Sequence, residues 1–176
     1  FAHNGEINNF DLVKEELLHK IHPSLQRFIL GDTDSELFFY LFLSLLQKKT
    51  DIHVQNIEIV MIMNTIAECC QLIRDCADRK KCPAPSKLTH IITNGRIMLG
   101  CSFGKELHFS TYKTQCFERE TCSFFSPSCE SATKAGKVNH LLLSSEPLVG
   151  ENVWSLLKDS QIVGVNSQMQ WFEAAF

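Results

Sequence analysis

Two short polar segments contain side chains that could act on the carbonyl group of a substrate. The first is His3-Asn4-Gly5, in which the Asn side-chain amide and the Gly backbone N–H are good donors for a developing oxyanion. The second is the acidic loop Gly31–Glu36, where Asp34 could bind a ligand ammonium group. Each has a structural alternative, because the first also fits an ordinary Asn-Gly turn over Ala2–Gly5 and the second fits a helix cap.

A third polar segment lies near the C-terminal end of the chain. The apolar run Leu141–Leu143 is followed by Ser-Ser-Glu-Pro-Leu at residues 144–148, and then by Trp154. This pattern predicts a strand that stops at polar residues. The structural alternative for this segment is a strand end together with a tryptophan in the core.

Helices are predicted to position the first two segments. Thr33 and Glu36 fit a capping box at the start of a helix that continues through the apolar segment Leu37–Leu46. Apolar residues at helical spacing predict two further helices, over residues 10–21, capped by Asn8 or Asn9, and over Asp51–Asp78, ended by Pro83 and Pro85. The apolar stripe of the longest helix comprises Ile59, Ile62, Ile66, Cys69, Ile73 and Cys76.

Strands are predicted in the second half of the chain. Lys87–Thr93 and Arg96–Phe103 alternate in character and meet at Asn94-Gly95, which is a strong hairpin signal. The region Gly104–Lys137 has little periodicity, with room for one or two short strands. Further strands are predicted at Val138–Ser144 and Gln161–Asn166, with Gln168–Phe172 continuing the sheet. Because helices come first and strands later, the predicted fold class is α+β.

The composition is that of one globular domain. The 176 residues are 44% hydrophobic and 21% charged, with a net charge of −3. This balance argues against nucleic acid and an anionic membrane surface as partners. The longest apolar stretch is too short to span a bilayer. A chain of this size does not need disulfides, so we expect its eight cysteines to be reduced and the protein to be cytoplasmic.

Cysteine spacing gives no support for a metal site. Cys116, Cys122 and Cys129 are five and six residues apart, whereas structural zinc sites use pairs two to four residues apart. Cys101 and His108 precede them without completing such a pair. We therefore predict neither a metal nor another cofactor.

The three polar segments occur in the same order in a known family. Phe-Ala-His-Asn-Gly at residues 1–5, Gly-Asp-Thr-Asp-Ser-Glu at residues 31–36 and the segment at residues 144–148 resemble class II (N-terminal-nucleophile) glutamine amidotransferases. The chain is most similar to the free-standing γ-glutamyl amide hydrolases, such as the amidotransferase-like subunit of fungal glutathione degradation. The resemblance runs from Phe1 to about Val165, and the region Gly104–Lys137 matches no pattern of the family.

The resemblance implies a fold and roles for individual residues. The fold would be an incomplete four-layer αββα sandwich, with residues 1–176 as the C-terminal part of a single type-2 glutamine amidotransferase domain. Asn4 and Gly5 would form the oxyanion hole, Asp34 would hold the α-ammonium of a γ-glutamyl substrate, and His3 would shape the binding site. Glutamine, glutathione and related γ-glutamyl amides all remain candidate substrates, and a peptidase subunit is an implied partner.

The same resemblance implies a nucleophile that these residues do not supply. The family uses a cysteine at the mature N-terminus, upstream of the His-Asn-Gly segment. All eight cysteines lie at or after Cys69, beyond both Asn4 and Asp34. We therefore expect the 176-residue chain by itself to be inactive. The alternative function is a truncated, inactive binding or regulatory domain.

Overall fold

The computed structural model describes residues 1–79, 84–132 and 136–176. The chain forms two compact units, Phe1–Leu88 and Thr89–Phe176. In the described ranges, the α-helices lie in the first unit and most of the antiparallel strands lie in the second, which confirms the predicted α+β class. Among the described residues, the helices are too short or too polar to cross a membrane.

The first unit opens with a strand. Strand β1 is Ala2–Glu6, and it lies beside the start of strand β2, Lys87–Thr93. The prediction of a turn over Ala2–Gly5 was therefore wrong. The local preference of Asn-Gly for a turn is outweighed here by the pairing of β1 with β2.

Two short helices follow β1. Helix α1 is Phe10–Leu18 and helix α2 is Pro23–Gln26. Asn9 occupies the N-cap position of α1 with a φ of 53°, and its side-chain amide donates to the carbonyl of Ala77. The helix predicted over residues 10–21 ends earlier, at Leu18, but the predicted apolar face is buried at Val13, Leu17 and Ile21.

Helix α3, Asp34–Gln47, begins where the capping box predicted. The backbone N–H of Glu36 donates to the Thr33 hydroxyl at 3.2 Å. The Glu36 carboxylate accepts from the backbone N–H groups of Leu30 and Gly31 at 3.0 and 2.7 Å, which closes the preceding loop. Most of the apolar segment that follows is buried.

Helix α4, Ile59–Ala77, is shorter than predicted. Residues 51–58 precede the helix as loop, so the predicted start at Asp51 was wrong. Pro83, predicted to end the helix, lies outside the described residues. The predicted apolar stripe is confirmed, since all six of its members are buried: Ile59, Ile62, Ile66, Cys69, Ile73 and Cys76.

The second unit contains an antiparallel sheet in the order β2, β3, β7, β8. Thr93 pairs with Met98, so the predicted hairpin at Asn94-Gly95 is confirmed as a four-residue loop. The Asn94 side-chain oxygen accepts two backbone N–H groups there, and Gly95 has a φ of 82°. The new strands are β3, Met98–Ser102; β7, Gln161–Val165; and β8, Trp171–Ala175.

A smaller sheet in the second unit has the order β5, β4, β6. Strand β4 is His108–Ser110, β5 is Leu142–Ser144, and β6 is Ser155–Leu156. The strand predicted over Val138–Ser144 is thus limited to its last three residues, and the strand predicted over Gln168–Phe172 begins later, at Trp171. A short 3₁₀ helix, Pro127–Glu130, interrupts the long connection between β4 and β5.

Side chains from both sheets form the core of the second unit. Leu107, Leu157 and Val163 are fully buried there, and Phe109 and Leu143 pack against them. Seven cysteines lie within the described ranges, each as a free thiol, and Cys82 lies outside them.

Candidate functional site

Strand β1 places the residues of the His-Asn-Gly segment on alternate faces. His3 and Gly5 are partly buried, whereas Asn4 between them is exposed. Side chains on a strand alternate in direction, so the His3 ring lies on the face to which a side chain at position 5 would also point. The Asn4 side chain therefore points to the opposite face of the strand.

Gly5 makes a close approach to β2 that other residues would prevent. A Cβ atom at this position would lie 1.9 Å from the carbonyl oxygen of Lys87 and 2.8 Å from Nε2 of His3. His3 Nε2 is itself 3.0 Å from that carbonyl oxygen. The imidazole thus occupies space that only a glycine at position 5 leaves free.

The start of α3 contacts the end of β1 through Asp34. Its Oδ2 accepts the backbone N–H of Ile7 at 2.8 Å, and its Oδ1 accepts the hydroxyl of Ser35 at 3.2 Å. Asp34 is the first residue of α3, where the N-terminal end of the helix dipole favours a negative charge. The structure therefore brings the His-Asn-Gly strand and the acidic helix start together within the first unit.

Ser35 connects His3 to Asp34. His3 Nδ1 lies 2.9 Å from the Ser35 hydroxyl oxygen. Because the Lys87 carbonyl can only accept, Nε2 of His3 carries a proton, and a neutral ring then accepts at Nδ1. In that state the single Ser35 proton can be donated either to His3 or to Asp34, so the two residues share one donor.

Both ring nitrogens of His3 are engaged by protein partners, which fits a role in shaping the site. The sequence did not single out Ser35 or the Lys87 carbonyl. Ser35 lies within the acidic segment Gly31–Glu36, and this position was the one feature of the sequence that could have drawn attention to it. Lys87 contributes through its backbone, for which the sequence carries no signal.

The third polar segment lies in the second unit and makes local contacts. Ser144 ends β5, and its hydroxyl accepts the backbone N–H of Glu146 at 3.3 Å. Trp154 donates its indole N–H to the carbonyl of Leu148 at 3.0 Å. The alternative of a tryptophan in the core was wrong, because Trp154 is only partly buried.

Comparison with known proteins gives a partial match in sequence. No protein-family model matches the chain. Over 48 residues the chain is 50% identical to the probable glutamine amidotransferase DUG3 of Saccharomyces cerevisiae. That segment covers 27% of this chain and 13% of the yeast protein.

Solved structures extend the similarity to almost the whole chain. A glutamine aminotransferase class-II domain protein from Silicibacter pomeroyi matches with a TM-score of 0.63 and 18% identity, over 99% of this chain and 65% of that one. A predicted glutamine amidotransferase from Pseudomonas aeruginosa matches with a TM-score of 0.57 and 16% identity, over 95% of this chain and 57% of that one. The chain therefore spans about three-fifths of these structures. Its fold is that of glutamine amidotransferase domain structures, and over 48 residues its sequence is glutamine amidotransferase-like as well.

Proposed function

We propose that residues 1–176 belong to a class II glutamine amidotransferase domain that hydrolyses γ-glutamyl amide bonds. The domain would be a four-layer αββα sandwich, of which this chain is the C-terminal part. The observation that carries the proposal is the hydrogen bond from the Ile7 N–H to Asp34. It ties the residue that follows β1, the strand with the candidate oxyanion donors, to the candidate ammonium-binding carboxylate on α3.

Asp34 has the capacity to bind a substrate ammonium group. Each of its oxygens accepts one hydrogen bond from the residues that the structure describes, and a carboxylate oxygen has two acceptor sites. The side chain is partly buried, so an ion pair with a ligand would be less screened than at the open surface. The bond from Ile7 would hold the carboxylate in place for this contact.

Asn4 and Gly5 would stabilise the oxyanion formed when a thiolate attacks the γ-carbonyl carbon. The thiolate would belong to a cysteine outside these 176 residues. Donors fixed on a strand need little reorganisation during the reaction, which is the condition for efficient stabilisation. Collapse of the tetrahedral intermediate would expel the amine and leave a γ-glutamyl thioester, which water then hydrolyses.

The first test is an assay of the full-length protein encoded by the gene. It should release ammonia from glutamine, or glutamate from glutathione or another γ-glutamyl amide. If glutamine binds by calorimetry but no candidate amide is hydrolysed, the binding or regulatory alternative is correct. Absence of both binding and hydrolysis would reject both functions.

The sharpest variant is Asp34→Asn. An asparagine keeps an oxygen that can accept from the Ile7 N–H but removes the charge, so the fold should be retained while KM for the γ-glutamyl substrate rises. Asp32→Asn is the matched control, because Asp32 lies in the same loop, is exposed and pairs with Lys14 at 2.6 Å. Equal kinetics for the two variants would contradict the role of Asp34.

Asn4→Ala tests the oxyanion donor separately. Its loss should lower kcat by roughly 10²–10³-fold, the effect of removing one such donor elsewhere, with a smaller change in KM. Because the Asn4 side chain is exposed, we expect the melting temperature to change little. A kcat within twofold of the wild type would remove Asn4 from the reaction.

A further inference from the structure

A cavity in the second unit is lined by three thiols. It has a volume of about 340 Å³, and Cys116, Cys122 and Cys129 border it together with His140 and Asn152. The cavity lies beside the connection between β4 and β5, the region that matched no family pattern. Three of the eight cysteines in the sequence therefore face one space large enough for a small organic molecule.

Two polar atoms at this cavity lack a hydrogen-bond partner among the described residues. They are Nε2 of His140 and Oδ1 of Asn152, and both are buried. Burial, followed by the charge of Lys113, lowers the pKa of the His140 ring, so the neutral form is favoured. A buried polar atom without a partner is costly, so these two atoms make the wall of the cavity more polar than its apolar neighbours alone would.

Cys129 is the thiol whose surroundings best support an anion. The Asn139 side-chain N–H donates to its sulfur at 2.9 Å. Burial raises the pKa of this thiol, but the hydrogen bonds from Asn139 and Ser126 outweigh that effect and hold the pKa below its usual value. Cys129 is only partly buried, and it borders the cavity.

The other described cysteines are less suited to reaction. Five of them are buried: Cys69, Cys70, Cys76, Cys101 and Cys116. Burial raises the pKa of Cys69 and of Cys76, which keeps both protonated at neutral pH. Cys122 is partly buried like Cys129, but among the described residues no side-chain amide donates to its sulfur, so it serves as the natural internal reference.

We propose that Cys129 is a thiol-modification site that exchanges with small organic disulfides entering this cavity. The Cys129 thiolate attacks one sulfur of the disulfide, a new S–S bond forms to that sulfur, and the original S–S bond breaks. The departing thiolate takes a proton from solvent. Cys129 is thereby oxidised to a mixed disulfide, and the other half of the attacked disulfide is reduced to a free thiol.

Several charged groups lie around Cys129, and the charge of Glu130 opposes ionisation of the thiol by raising its pKa. Glu130, its neighbour in the chain, accepts the backbone N–H of Cys116 and pairs with Arg119. Lys113 pairs with Glu151 at 2.5 Å. Glu118 and His140 also border the cavity. Among the groups that lower the pKa of Cys129, the amide of Asn139 has the largest effect, ahead of Ser126.

The test uses the reduced full-length protein and bis(2-hydroxyethyl) disulfide as the probe. Intact-mass measurement over time at pH 7, followed by peptide mapping, should show Cys129 as the first residue modified. Cys129→Ser should abolish this fast phase, whereas Cys122→Ser should leave it. Modification of Cys122 or Cys116 ahead of Cys129 would overturn the proposal.

A second variant keeps the test valid if Cys129→Ser folds poorly. Asn139→Asp has nearly the same shape but replaces the donor with a negative charge beside the sulfur. It should slow modification of Cys129 by roughly threefold to tenfold and move the midpoint of its pH–rate profile upward. An unchanged rate and midpoint in a folded Asn139→Asp protein would show that Asn139 does not control the thiolate, and would overturn the proposal.

Discussion

Packing at Gly5 leaves no room for a side chain. The atoms closest to a Cβ added at this position are the carbonyl oxygen and carbon of Lys87, at 1.9 and 2.6 Å, and backbone atoms cannot rotate away. Gly5→Ala must therefore separate β1 from the start of β2. We expect a loss of about 1–3 kcal/mol in the free energy of unfolding, the usual cost of overpacking, measured by urea denaturation.

Gly31→Ala is the matched control for that measurement. Its nearest atom is the end of the flexible Glu36 side chain, at 2.8 Å, which can move if its exposed hydrogen bonds from Leu30 and Gly31 weaken. We expect a smaller loss than at Gly5, of at most about 1 kcal/mol, the net contribution of a typical hydrogen bond. Equal losses at the two positions would mean that the contact between Gly5 and Lys87 is not needed for stability.

The residues of the candidate site were partly predictable from sequence. Asn4, Gly5 and Asp34 were selected because their types and order match a family pattern. The link through Ser35 to His3 was not predictable, because it joins residues 32 positions apart and depends on how α3 meets β1. Motif reasoning identifies groups with suitable chemistry, whereas hydrogen-bond partners require the tertiary arrangement.

Among the elements, the N-terminus of α3 has the clearest sequence origin. The Thr33 hydroxyl accepts the backbone N–H of Glu36, which would otherwise be unsatisfied at the helix start. Thr33→Ala should destabilise the protein by about 1 kcal/mol, the typical value of an N-cap, as measured by denaturant unfolding. Because Asp34 is the next residue, the same change should also weaken binding of a γ-glutamyl ligand.

Thr33→Ser distinguishes capping from packing. Serine keeps the accepting hydroxyl and removes only a methyl group, so it should stay within a few tenths of a kcal/mol of the wild type. If Ser and Ala variants lose the same stability, the hydroxyl is not the stabilising group.

Elements with local signals were predicted well, and elements that depend on partners were not. The stripe of α4 follows from helical spacing within one segment, and β2 from Lys87 to Thr93 was predicted with its observed bounds. Strand β1 was mistaken for a turn because its extended form depends on pairing with residues far along the chain. The shift of β8 to Trp171 has a similar cause, since its bounds follow from pairing with β7.

Across the whole molecule, ionisable groups with raised pKa values predict sensitivity to alkaline pH. Burial raises the pKa of Cys69 well above its usual value, with smaller effects from Cys70 and Glu68. The hydrogen bond to Glu151 raises the pKa of Lys113 in the second unit. Because folding raises these pKa values, the folded chain holds the protons more tightly than the unfolded chain.

The stabilisation from the thiols is complete below their unfolded pKa, about 8.5, and is lost as the pH rises above it. The urea concentration at the unfolding midpoint, measured under reducing conditions, should therefore decrease as the pH is raised from about 7 to about 10. Cys69→Ala removes one buried thiol and should reduce the size of this fall, even if it lowers stability at pH 7. Cys122→Ala, which removes a more accessible thiol, should leave the fall unchanged. An equal fall in both variants would show that ionisation of Cys69 does not limit alkaline stability.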